Sequence, residues 1–241
     1  MPLGTPPPGR DRLSALLSER NQHPHAAERI DGEIRAIFGR RIAILALDMC
    51  EFTATANRLG IIHYLAMIEE MANAARPAVD ANRGIVVKQE ADNLFAAFEH
   101  PQEALEAALD IFLAFEAVNT VVPDERGLQG CIGIGFGETL LVGHADMFGQ
   151  EVNLACKLGE DLAQPREILL THAAHEALPP GQYRFSDRRY GLSGFEIEAF
   201  RFEERLGEER PGEERPGEER PGGETATMSE RKARREGGTA P

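Results

Sequence analysis

The feature that most limits how this chain can fold is the run RIAILALD, residues 41–48, in which Ile, Leu and Ala follow one another with no polar alternation. A strand with one wet face would alternate, so this run reads as a buried strand ending on a carboxylate, Asp48. Hiding such a strand takes a core. With 241 residues, 42% of them hydrophobic, the chain is long enough for one substantial core with flexible ends, and one main domain is expected.

Periodicity supplies the neighbours. Before the strand, residues 12–20 and 26–38 carry Leu13, Leu16, Leu17, Ile30, Ile34 and Phe38 at helical spacing, behind a Pro-rich start expected to be disordered. After it, Thr53 or Thr55 can cap a long helix bearing Leu59, Ile62, Leu65, Ile68 and Met71 and ending before Pro77 and Gly84. IVVKQEADNLFAAF reads as two short strands about a tight turn, with Asp92 at the tip and Asn93 supplying the positive φ. Pro101 opens a helix whose Leu105, Ala108, Leu109, Phe112 and Phe115 recur at helical spacing. LQGCIGIGFGETLLVG reads as strand material interrupted by glycines, EVNLACKLGEDLA as a helix, EILLT as a strand, and residues 183–202 as late strands. After Leu206 the chain turns to GEERP repeats and then GGETATMSERKARREGGTAP, with no apolar residue able to offset the ordering entropy, and residues 206–241 are expected to be a disordered tail.

Charge and cysteine usage exclude several function classes. A net charge of -14 argues against a non-specific nucleic-acid binder, which gains affinity by neutralising phosphates with Lys and Arg. Any phosphate site must therefore be local. Cys50, Cys131 and Cys156 lie far apart without a CxxC pair, so neither zinc nor a disulfide framework is suggested, and reduced thiols in a cytoplasmic protein fit best. No apolar run approaches the roughly 20 residues that span a bilayer, and the first residues lack an apolar signal core, so neither secretion nor membrane insertion is expected.

Asp48 at a strand exit and Asp92 at a hairpin tip are candidate Mg²⁺ ligands, because adjacent strand ends can bring two carboxylates together and magnesium is held by one or two of them with substrate phosphates and water. From spacing alone, a strand end and a turn former are the favoured explanation of the two residues. Three segments add to the metal reading. IAILALDMCEFT resembles the strand and phosphate loop of class III adenylate/guanylate cyclases, VVKQEADNLFAAF resembles the cyclase hairpin, and DMFGQEVNLACKL resembles the family segment ending Asn, three residues, Arg. They follow in family order over about residues 40–203.

The resemblance implies an α+β, ferredoxin-like nucleotide cyclase fold with a mostly antiparallel central sheet and flanking helices. It divides the chain into a start and helical extension (1–39), the cyclase homology domain (40–205) and the tail (206–241). It makes Asp48 and Asp92 the metal ligands, for two Mg²⁺ or Mn²⁺ ions per site. Lys88 and Asp146 become the adenine-reading pair, Asn153 orients the ribose, Lys157 stands where the family has a transition-state arginine, and Phe52 and Thr53 belong to the nucleotide-binding loop. The implied site lies at a homodimer interface, with the metal aspartates from one chain and Lys88, Asp146, Asn153 and Lys157 from its partner. The implied reaction is conversion of ATP to cyclic AMP and pyrophosphate by attack of the ribose 3′-hydroxyl on the α-phosphorus, under an upstream signalling partner that the sequence does not identify.

Departures from the family pattern motivate an alternative. Lys157 loses the planar fork of arginine, Glu51 replaces the glycine of the phosphate loop, and Ser193 stands where a triphosphate-contacting Lys is usual. A weakly active or inactive domain that senses nucleotide or dimerises is the rival reading; a third makes the tail the functional part. Gly133, Gly135 and Gly137 lack the GxGxxG spacing of a dinucleotide loop, His172 and His175 read as solvated, and His144 reads as a loop residue.

Overall fold

The computed structural model describes residue 3 and residues 6–50, 60–121, 127–192 and 195–206. Two helices, α1 (Arg10–Gln22) and α2 (Ala27–Phe38), form a hairpin that buries Leu13, Leu16, Ile30, Ile34 and Phe38 with Val142. The chain then enters β1 (Gly39–Met49), followed among the described residues by α3 (Ile61–Ala81), β2 (Ile85–Glu90), β3 (Asn93–Phe98), α4 (Pro101–Asn119) and β4 (Gly130–Val142). Next come β5 (Asp146–Phe148), α5 (Gln150–Cys156), a π-helical turn at Lys157–Leu162, β6 (Ile168–Thr171), α6 (His172–Glu176), β7 (Tyr183–Leu192) and β8 (Phe195–Arg205).

The strands form one sheet in the order β2-β3-β1-β4-β6-β8-β7, with β5 added to the end of β4. All pairings are antiparallel except β4 with β6. The expected α+β fold is thus present, with β1 between β3 and β4 where an unbroken apolar run belongs. Its two-residue period sorts the core. Ala43, Leu45 and Leu47 join Leu94, Ala96 and Phe98 under α3 and α4, while Ile42, Ile44 and Ala46 join Phe95, Ala97, Met147, Val152 and Ala155 on the face crossed by α5.

The glycines of β4 serve that second face. A Cβ on Gly133 would overlap the carbonyl of Ala155, and one on Gly135 would strike the carbonyl of Glu151, so their absence lets α5 lie directly on the strand. β4 is consequently one continuous strand rather than an interrupted one.

Three local expectations change. α3 does not end before Pro77 but carries it inside the helix to Ala81, because burial of Ala75, Ala78 and Val79 against the core outweighs the lost backbone hydrogen bond. The left-handed residue of the β2–β3 turn is Ala91, at φ 52°, rather than Asn93, which is already the first residue of β3 and pairs with Glu90. At the Pro-rich start, expected to be disordered, Leu3 and Pro7 are buried, with Leu3 in the same apolar cluster as Ile42, Ile44 and Phe95. Among the described residues, no helix is long and apolar enough to cross a membrane.

Candidate active site

The alternation of β1 places Asp48 on the α5 face, in line with Ile44 and Ala46, opposite Cys131 of β4. Half-buried there, its carboxyl is pushed up to about 7, first by burial and then by the like charges of Asp92 and Glu160. Asp92 reaches the same corner from the β2–β3 turn. Burial and these two aspartates also raise the Tyr64 phenol, and burial followed by Asp161 and Asp92 raises Glu160. The structure therefore brings Asp48 and Asp92 together and adds Glu160, Asp161 and Tyr64, none of which had been singled out. The acidic pair had one available signal, the run LGED directly after Lys157.

A second constellation lies on β2 and β5. Val86 pairs with Ala96, but Lys88, not Val87, pairs with Phe95, so a β-bulge absorbs one residue. The bulge turns Lys88 from the α4 face to the α5 face, and its ammonium lies 5.0 Å from the Phe95 ring centroid. From there Lys88 Nζ reaches Asp146 Oδ1 at 3.2 Å and Glu90 Oε1 at 3.2 Å. Burial works to lower the Lys88 pKa, yet the hydrogen bonds and charges of Glu90 and Asp146 outweigh it and hold the ammonium above its usual value. A donor-only and an acceptor-only side chain stand next to each other.

Asn153 of α5 and Lys157, the first residue of the π-helical turn that continues it, occupy the other flank. Val152 and Ala155 face the sheet, which leaves Asn153 and Lys157, four residues apart, on the exposed side. Lys157 Nζ pairs with Asp161 Oδ2 at 3.1 Å. Phe52, Thr53, Glu51 and Ser193 lie outside the described residues.

Two further expectations are corrected. Cys50 and Cys131 are joined in a disulfide with Cα atoms 6.2 Å apart, leaving Cys156 as the free thiol. The β1–β4 ladder carries Asp48 to the level of Cys131, and the Cys50 N–H donates to Gln129 O, so two cysteines 81 residues apart in sequence become neighbours. His175 is not solvated: its ring stacks on Phe200 at 3.9 Å between centroids, and burial lowers its pKa, whereas His172 remains exposed beside Glu176 and Glu198.

The pattern of the adenylate and guanylate cyclase catalytic domain matches residues 39–200, from the first residue of β1 into β8. The chain belongs to that family. The cyclase domain is 27% identical over 137 residues to a protein of Rhizobium meliloti and 29% identical over 143 residues to the adenylate cyclase of Streptomyces coelicolor. These matches take in 57% and 59% of this chain but only 23% and 35% of the relatives. The chain thus spans about a quarter to a third of the curated relatives it matches. Among solved structures, the adenylate/guanylate cyclase/hydrolase of Silicibacter pomeroyi superposes with a TM-score of 0.58 at 25% identity, over 68% of this chain and 96% of that one.

The residues present suit hard divalent cations. Among the described residues no group of three or more His, Cys, Asp or Glu side chains is arranged as a protein-only metal cage. Two clustered carboxylates, Asp48 and Asp92, instead suit a metal that would share its shell with substrate phosphates.

Proposed function

We propose that this cyclase domain is a homodimeric adenylate cyclase, converting ATP to cyclic AMP and pyrophosphate, with residues 40–205 as the catalytic unit. The observation that carries the reading is the contact between Lys88 and Asp146. An ammonium donates to the accepting ring nitrogen of adenine, and a carboxylate accepts from its amino group; guanine presents the reverse pattern at those edges. The Streptomyces coelicolor relative, named an adenylate cyclase, supports the choice of base.

Asp48 and Asp92 would hold Mg²⁺ or Mn²⁺, which supplies acidification of the ribose 3′-hydroxyl and a clamp on the β- and γ-phosphates. Asn153 orients the ribose, and Lys157 places positive charge beside the α-phosphate. These two project from the exposed side of α5 and the turn that continues it, as residues that serve a partner's metal corner would. The uncovered apolar side chains of Ile61, Ile62 and Leu65 on α3 give a second copy a surface to bury. Most of the rate enhancement then comes from positioning and charge.

A second reading, nucleotide binding without turnover, is favoured by the engagement of Lys157 with Asp161 in place of a free arginine fork. Cyclic AMP and cyclic GMP formation from ATP and GTP, in Mg²⁺ and separately in Mn²⁺, decides between them. Cyclic AMP in excess establishes the adenylate cyclase; nucleotide binding with neither product establishes the second reading.

A further inference from the structure

Both oxygens of the Asp146 carboxylate are already engaged within one chain. Its Oδ1 accepts from Lys88 Nζ at 3.2 Å and from the Met147 N–H at 2.9 Å, and its Oδ2 accepts from Arg10 Nη1 at 2.9 Å. Arg10 is the first residue of α1, and its guanidinium also lies 5.1 Å from the Phe148 ring centroid. The described residues before it lie against the same face of the sheet. The Leu3 N–H donates to Glu99 Oε1 at 3.3 Å beyond the end of β3, and the Leu3 side chain is buried with Val87, Phe95 and Met147. Pro7 is buried too, and Gly9 lies against Gly143, where an added Cβ would come within 3.4 Å of the Gly9 Cα.

We propose that Leu3 and residues 6–10 belong to an autoinhibitory strap whose Arg10 occupies, on Asp146, the acceptor that the adenine amino group needs. The inference rests on the reading of Lys88 and Asp146 as the purine pair. A guanidinium N–H and the adenine amino group are both donors, so they compete for the Oδ2 side of the carboxylate. The strap is built to release. The Arg10 side chain is 63% exposed, and exposed ion pairs hold weakly. Segments with few buried anchors open at small cost, and Leu3 and Pro7 are the buried residues described in this one. A signal that moves the α1–α2 hairpin would thus uncover the base subsite without altering the metal corner.

The test measures binding of α,β-methylene-ATP, which cannot be cyclised, to the full chain carrying Arg10→Ala, Arg10→Lys or Leu3→Asp. Arg10→Ala and Leu3→Asp should each lower Kd by roughly two- to fivefold, as expected for removing one exposed ion pair, while Arg10→Lys stays near wild type. The difference between Arg10→Ala and wild type should shrink at high salt. Unchanged or weaker binding in both releasing variants overturns the strap and makes Arg10 a residue that merely orients Asp146. Asp146→Ala separates the two readings. If it leaves the preference for ATP over GTP intact, the purine assignment itself has failed, and the strap's role with it. If it abolishes that preference while Arg10→Ala does not tighten binding, the strap alone has failed.

Discussion

The two halves of the site differ in how their charges are balanced. On β2 and β5, Lys88 and Asp146 satisfy each other, with Arg10 and Glu90 extending the network. At the end of β1, Asp48, Asp92 and Glu160 oppose one another, and the adjacent Lys157 is paired with Asp161. The half proposed to read the base is therefore assembled by a single chain, whereas the half proposed to hold metal gathers like charges that a divalent cation would relieve. Part of a catalytic site can be pre-paired while another part stores unfavourable charge until ligand arrives.

The largest expected effect comes from breaking the acidic half. Asp48→Ala should lower cyclic AMP formation by about 10²-fold or more, since it removes a group on which the charge stabilisation depends, while leaving binding of the adenine base almost unchanged. A turnover assay beside nucleotide binding checks this. Mixing Asp48→Ala chains with Asn153→Ala chains should restore roughly a quarter of wild-type activity, because half the dimers formed at random are mixed and each of those has one intact site. No recovery on mixing would mean that each chain carries a whole site.

The same half should respond to pH. With its carboxyl at about 7, Asp48 is protonated below that value, and metal must displace the proton. Apparent Mn²⁺ affinity should fall by about tenfold per pH unit below 7 and level off above it, as a titration followed by Mn²⁺ electron paramagnetic resonance would show. The sign for metal-free folding is opposite to that of a salt-bridged acid. Between the ordinary aspartate value and 7 the folded chain binds more protons than the unfolded one, so metal-free stability declines as pH rises across that window. Asp48→Asn should abolish both slopes.

Smaller effects sharpen the base-reading half. Asp146→Asn can donate as well as accept, so the ATP-over-GTP ratio of kcat/KM should drop by about tenfold, with total activity less affected. Smallest of all, Lys157→Arg should raise kcat by about threefold through a bidentate phosphate contact, with KM unchanged.

Several parts of this arrangement were legible from residue order. The unbroken run before Asp48 implied a central strand, and IVVKQEADNLFAAF implied a hairpin with an aspartate in its turn, because both patterns depend only on local burial period. The three cyclase-like segments singled out Lys88 with Asp146 and Asp48 with Asp92, two pairs that the structure brings together. The rest was hidden for identifiable reasons. The bulge that turns Lys88 toward Asp146 is one residue of register, which alternation within a single strand does not reveal. The positive φ at Ala91 is imposed by the closing of the hairpin rather than chosen by the residue. The pairing of Cys50 with Cys131 follows from the β1–β4 register across 81 residues, and the stacking of His175 on Phe200 follows from α6 meeting β8.

By itself, the sequence determined most of which segments are strands and which are helices, because hydrophobic periodicity and local motifs act over a few residues. Tertiary structure alone decided the balance of charge among the side chains of the candidate site. Whether Asp48 faces a cation or another carboxylate, and whether Asp146 is open or held by Arg10 from 136 residues away, depends on which strand ends converge and how deeply they are buried. Electrostatic energies follow distance in space and local burial, and neither is encoded by separation along the chain.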